Sequence, residues 1–439
     1  MAAPIRRAAP VINATLPSRL LDDDIEDPSI NSRYKGSILK DSEGQMQHER
    51  LSTLPPADAE SAAHSRRVAE FLHEKIAMAG GLISFAEYMH HALYAPGLGY
   101  YSAGATKFGQ AGDFITAPEV SPVFGQVLAR QCAGVLAAVD SSSILELGAG
   151  SGRLAADVLH KLAELDSLPE SYLILEVSAD LRERQESLLQ SELPELADRV
   201  IWLGQLPTKH RGTIIANEVM DALPVERFIR RQGGISQLCV ATDGSSFVLS
   251  ERDAPDNLGA AVAAIEEELG QQLPPGFASE VCLAAPQWVG DLARVLREGV
   301  AFLFDYGVSR REYYAAERSG GWLRCHFRHH AHNDPLILPG IQDLTSWVDF
   351  SAIAEAAVSN GLDVAGFVTQ AQFLIGGGLD KELADFSDLP IDAQLKLSGQ
   401  VKLLTLPQEM GENFKCLGLS RGMATTPSAF GFADRTQVL

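Results

Sequence analysis

From about residue 144 onward, short apolar runs alternate with segments of helical spacing. Ile144–Leu147, Tyr172–Val177, Val200–Leu203, Thr213–Ala216 and Val300–Phe304 are apolar throughout rather than alternating. Strands covered on both faces of a sheet have this pattern. Leu154–Leu165, Leu181–Leu189 and Trp288–Leu296 repeat their apolar positions every three to four residues, as helices do. Strands alternating with helices predict an α/β fold around a parallel sheet. Further along, the pattern predicts a helix over Trp347–Asn360, stopped by Gly361, then strands at Val364–Val368 and Phe414–Leu419.

Upstream, folded sequence is expected from near Ser65. Ser84 heads a helix with Glu87 three residues on, a capping box. Ala95–Tyr101 reads as loop, and Pro118 is expected to open a long helix through Val139. Two long connections interrupt the alternation. Residues 225–286 mix two possible strands, Leu238–Ala241 and Phe247–Leu249, with a helix at Leu258–Leu269. Residues 309–342 read as a loop rich in His and Gly. The organisation expected is an extension over 1–60 too poor in apolar residues to fold alone, a helical segment over 61–140, an α/β domain over 141–420 carrying both insertions, and a tail over 421–439.

Composition narrows the function. The 439 residues hold 36 Lys and Arg against 57 Asp and Glu, a formal net charge of −21. That field repels phosphate backbones and argues against nucleic acid as partner, while suiting a cationic substrate. No apolar run approaches the roughly 18 residues of a membrane span, so membrane insertion is not expected. The five cysteines are scattered, with no CxxC pair, which points to a reducing compartment. Arg6, Arg7 and Arg19 before the acidic run Asp22–Asp27 have something of a transit peptide, without the apolar core of a secretory signal. The bacterial cytoplasm is the expected location, with the mitochondrial matrix as alternative.

Candidate chemistry gathers where strands end. Glu146-Leu147-Gly148-Ala149-Gly150-Ser151-Gly152 is a strand, a glycine turn and a helix start. Such a loop lets backbone approach a nucleotide at a helix N-terminus. Glu176 closes the next strand, about 20 residues beyond, where an acid accepts ribose hydroxyls. The dinucleotide form of the glycine loop and the Lys-Ser/Thr phosphate loop are both absent. An adenosine cofactor without pyrophosphate fits, which is S-adenosyl-L-methionine. Asn217-Glu218-Val219-Met220-Asp221 follows the fourth strand, where ligands bind in open α/β sheets. His326, His329, His330 and His332 cluster with Cys325 and Asp334, but their spacing matches no standard metal site, and no metal is expected.

With these blocks, and with Ala95–Tyr101, Gly112–Glu119, Asp305-Tyr306-Gly307 and Gly340–Thr345, the chain resembles the MidA-like family of class I S-adenosyl-L-methionine-dependent methyltransferases. That family includes the mitochondrial arginine methyltransferases of respiratory complex I assembly. The resemblance implies a Rossmann-like seven-stranded sheet with an N-terminal helical segment and insertions after strands 4 and 5. It implies a loop from that segment folding over the cofactor, with Asp113 and Thr116 as candidates for the amino-acid end beside Glu146, Gly148, Gly150, Gly152, Glu176 and Asn217. The acceptor implied is a protein with an exposed arginine. A guanidinium is protonated at neutral pH and must be gripped by carboxylates. Glu218 and Asp221 are the first candidates, with Asn217 beside them and Asp305 and Asp343 behind. A small-molecule methyltransferase and a non-catalytic assembly factor are the competing readings. Oligomeric state is not readable.

Overall fold

The computed structural model describes residues 54–103, 116–140 and 142–439. Asp113, and the extension up to residue 53, lie outside them. The central sheet has seven main strands, β1 Ser143–Leu147, β2 Tyr172–Leu175, β3 Val200–Leu203, β4 His210–Asn217, β5 Leu296–Val308, β6 Asp363–Thr369 and β7 Phe414–Arg421, with the short Val348–Asp349 paired parallel to the end of β5. Their order is β6-β7-β5-β4-β1-β2-β3. β1 to β5 run parallel, and β7 is antiparallel to both β5 and β6. The chain therefore reverses its direction of winding between β1 and β4, and the ligand crevice of an open α/β sheet lies at such a point.

Both faces of the sheet are covered, which is why its strands are apolar throughout. One face packs Leu145, Leu147, Ile214 and Leu303 into a core shared with helices Ala285–Val295 and Phe350–Ser359. The other packs Ile144, Ile215, Phe302 and Phe304 against helices Pro122–Ala138 and Arg153–Glu164. Met423, Ala429 and Phe430 of the C-terminal tail pack onto this second face. The Phe430 ring stacks on Phe302 at 6.1 Å and covers two strand glycines, Gly366 and Gly418, where a Cβ would lie only 2.5 Å from it.

Several elements depart from the sequence pattern. The first described helix is Ala59–Met78, six residues ahead of Ser65, and Asp58 caps it. The helix expected from Pro118 is two helices, Ala117–Val120 and Pro122–Ala138. Ser121 between them is extended (φ −160°, ψ 142°), because the ring of Pro122 excludes the residue before it from helical geometry. The helix expected from Trp347 begins at Phe350, with Asp349 capping Ala352 N–H at 3.2 Å. Helices Gln370–Gly377 and Ile391–Thr405 were not anticipated; the second packs Leu397, Val401 and Leu404, at helical spacing, onto the second face.

The first insertion is a sheet of its own. Strands Glu226–Arg231, Gly234–Asp243, Ser246–Asp253 and Ala278–Val281 pair antiparallel, and Leu82–Ser84 from the N-terminal segment joins its edge through Gly234–Asp243. The second, read as loop, contains Leu323–Phe327, which pairs antiparallel with His330–His332 on one side and with Asp343–Ser346 on the other.

Candidate functional site

The glycine loop lies at the C-terminal end of β1. Gly148, Gly150 and Gly152 all have positive φ (65°, 58° and 84°), the left-handed region that side chains resist. Gly152 is the N-cap of helix Arg153–Glu164, so that helix directs its free N–H groups toward the loop. Helix Ala117–Val120 comes down over the same loop, and the Ser151 hydroxyl donates to Glu119. Thr116, directly ahead, holds the N-cap position without a capping side-chain bond.

Glu176 stands one residue beyond β2 and is buried. Its Oε1 accepts from Ser178 N–H at 2.9 Å and its Oε2 from the Gln185 side chain at 3.2 Å. Burial raises its pKa to about 7 against those hydrogen bonds. Glu146, inside β1, is raised to about 7 by burial as well, opposed by a 2.8 Å bond from the Tyr172 hydroxyl and reinforced by the charge of Glu176. Gln185 was not anticipated. It too reaches the glycine loop, donating to Gly150 O at 2.9 Å, and Trp202 of β3 donates to its Oε1 at 2.8 Å. A signal existed: Leu181, Gln185 and Leu189 are the buried face of helix Ala179–Glu192, four residues apart, and a glutamine within an apolar stripe needs polar partners.

The second half of the site follows β4. Asn217 ends the strand and its amide donates to Glu218 Oε1 at 3.3 Å. Glu218 is buried and its backbone is left-handed (φ 54°), a conformation that costs a non-glycine residue about 1 kcal/mol or more. Its N–H donates to Phe304 O of β5 at 2.8 Å, which holds it there. Asp221 is buried in the turn Met220–Ala222. Asp305 carries that turn: its Oδ2 accepts from Met220 N–H at 2.9 Å and Asp221 N–H at 3.1 Å, and its Oδ1 from Tyr306 N–H at 3.0 Å. These bonds make Asp305 a holder of the backbone beneath Glu218 and Asp221.

The Ala95–Tyr101 loop is brought to the same place. Gly99 allows it to fold against the preceding helix, since a Cβ there would sit 2.5 Å from the backbone of Leu93. Tyr94 then donates to Ala222 O at 2.7 Å, and Tyr101 to Asp343 Oδ1 at 2.9 Å. A cavity of about 420 Å³ adjoins this turn, lined by Met220, Leu223, Ile265, Tyr313, Trp347 and Ile353. The histidine cluster lies on a two-strand turn whose first strand places His326 opposite Asp343; His330 there is exposed and Cys325 is buried. Among the described residues no three His, Cys, Asp or Glu gather as metal ligands would. Among them, too, no helix is long and apolar enough to cross a membrane.

Residues 127–368 match the family described as "Putative S-adenosyl-L-methionine-dependent methyltransferase". A zebrafish (Danio rerio) protein named protein arginine methyltransferase NDUFAF7, mitochondrial, is 31% identical over 389 residues, covering 81% of this chain and 87% of its own. The human protein of that name is 30% identical over 374 residues, covering 77% and 80%. The chain is a MidA-like methyltransferase. A crystal structure from Burkholderia thailandensis, bound to S-adenosyl-homocysteine, superposes with a TM-score of 0.82 at 39% identity, covering 88% of this chain and all of the other.

The cofactor of this MidA-like chain is S-adenosyl-L-methionine. Its residues suit that molecule. A carboxylate has about four acceptor positions. Glu176 takes its protein donors from Ser178 N–H, Gln185 and the Val177 backbone, and its remaining acceptor positions would suit the hydroxyls of a ribose. The three left-handed glycines keep the loop clear of side chains where the nucleoside would approach.

Proposed function

We propose that this methyltransferase acts on arginine in a protein. The observation that carries the reading is the pair of buried carboxylates Glu218 and Asp221, one in a strained backbone held by β5, at the end of β4. A guanidinium pairs with carboxylates bidentately through its planar fork of donors. When bound, S-adenosyl-L-methionine provides the electrophilic methyl group. The protein's own work is then alignment and exclusion of water. Glu218 and Asp221 pair with the guanidinium, concentrate its charge on the nitrogens they touch and leave the remaining nitrogen to face the methyl group. Asn217, Asp305 and Asp343 position this pair. Asp113 and Thr116 are proposed for the amino-acid end of the cofactor.

The names of the relatives support arginine as acceptor. By the family resemblance the substrate proposed is a subunit of respiratory complex I with an exposed arginine, and the compartment the bacterial cytoplasm or, alternatively, the mitochondrial matrix. The test is to incubate the protein with radiolabelled cofactor and a cell lysate, then map the added mass. Label on arginine supports the reading, and label on lysine or a carboxylate overturns it. A second reading, a small-molecule acceptor, is favoured by the cavity beside Met220, whose volume suits such a ligand. Label in the small-molecule fraction would establish it, and no label at all would favour an assembly factor that does not catalyse.

A further inference from the structure

We propose that Gln185 is the positioning residue for ribose recognition: its amide, locked by Trp202, ties Glu176 to the glycine loop in the one arrangement that receives the ribose diol. The inference rests on the reading of Glu176 as the ribose acceptor.

The lock follows from which groups can donate. An indole N–H only donates, so the Gln185 atom facing Trp202 at 2.8 Å is the carbonyl oxygen. That fixes the amide orientation and turns Nε2 to the opposite side. There it meets two groups that only accept, Gly150 O at 2.9 Å and Glu176 Oε2 at 3.2 Å. Its two N–H bonds are thereby both used, and the side chain is fully buried. A single amide thus spans three elements: β3 through Trp202, the carboxylate at the end of β2, and the turn after β1. Close packing keeps the bridge in register. A Cβ on Gly152 would lie 3.2 Å from Gln185 Cγ, so the loop approaches the glutamine as nearly as a glycine permits. The remaining Glu176 oxygen position is set by Ser178 N–H. With both oxygens anchored from the protein side, the free acceptor directions of the carboxylate point away from it as a fixed pair, which is what two neighbouring hydroxyls need. Without Gln185, Glu176 keeps only the adjacent backbone N–H groups of Val177 and Ser178 as anchors and loses its tie to the glycine loop.

The test compares binding of S-adenosylhomocysteine and its 2′-deoxy analogue to the full chain by calorimetry. The unaltered protein should prefer the ribose form by roughly 10–100-fold, the worth of one hydrogen bond to a charged group. Gln185→Met keeps the volume and removes the donor, and should shrink that preference to about 3-fold or less. Trp202→Phe leaves Gln185 in place but frees its amide to flip, and should give an intermediate preference. It also serves should Gln185→Met fail to fold. A merely structural role would weaken both ligands equally and leave their ratio unchanged, and that outcome overturns the proposal. Glu176→Ala separates the two layers. If it retains the full preference, the ribose reading of Glu176 falls and takes this inference with it. If it loses the preference while Gln185→Met and Trp202→Phe keep it, only the role of Gln185 is wrong.

Discussion

The half of the site proposed for the cofactor and the half proposed for the acceptor are built in opposite ways. Gly148, Gly150, Gly152, Glu176 and Gln185 all fall within 38 residues of chain, on consecutive elements of one β-α-β-α run. The acceptor half is assembled across the chain. Asp305 holds a turn 84 residues before it, Tyr94 reaches Ala222 across 128, and Tyr101 meets Asp343 across 242. The first half is therefore preformed by local folding, whereas the second exists only once the N-terminal segment, β4, β5 and the strand Asp343–Ser346 have all docked. Damage to the two halves should accordingly read out differently, in binding on one side and in turnover or stability on the other.

The largest expected effect is on the local half. Gly150→Val forces a β-branched residue into a left-handed conformation beside the ligand and should lower S-adenosyl-L-methionine affinity by about 100-fold or more, measured by calorimetry. NAD should not bind the unaltered protein. Next comes the acceptor half. Glu218→Gln should cut methyl transfer by roughly 100-fold or more while cofactor affinity is kept, because an amide cannot pair with a cation in a buried site. Asp221→Asn should act in the same direction, less strongly. Full turnover in both variants would make these residues structural and erase the contrast between the halves.

Asp305→Asn tests assembly at a distance. Its carboxylate accepts from three backbone N–H groups, and an amide must turn an NH₂ toward at least one of them. We expect a loss of about 1.5–3 kcal/mol in denaturant-measured stability, with turnover falling while the isolated cofactor site still binds. Glu176→Ala should weaken cofactor binding by roughly 1.5–3 kcal/mol. Since the Glu176 carboxyl titrates near 7, affinity in the unaltered protein should rise as pH increases through that value.

The smallest effect concerns Glu146. Its folded pKa of about 7 lies above the ordinary 4.5, so the folded state binds the proton more tightly than the unfolded chain does. The stability it contributes is present below about pH 4.5 and is lost as pH rises to about 7. Thermal midpoints should therefore fall by a few degrees more over that range in the unaltered protein than in Glu146→Gln.

The same contrast explains what could be read from sequence. The sheet strands, the glycine loop and Glu176 were legible because each is a local pattern: an apolar run, a turn that needs left-handed residues, an acid at a strand end. Asn217, Glu218 and Asp221 were legible as polar residues gathered at a strand end, but the work of Asp305 on the Met220–Asp221 turn was not, because those donors are 84 and 85 residues away. The strand Glu226–Arg231 was missed because four of its six residues are charged, and its place in a sheet is set by partners on either side. Gln185 was overlooked because a polar residue on a helix ordinarily faces water.

The position of β7 has a further consequence, for the order in which the protein can be made. It lies between β5 and β6, yet it is the last of the three to leave the ribosome. Until residues 414–421 emerge, the free edge of β5, the strand that holds Glu218 and carries Asp305, stays unpaired, and β6 has no neighbour to join. Phe430, which seals Gly366 and Gly418, arrives later still. Most of the polypeptide must therefore wait on the ribosome with an open, apolar sheet edge, the stage at which a nascent chain is most exposed to aggregation and most in need of a chaperone.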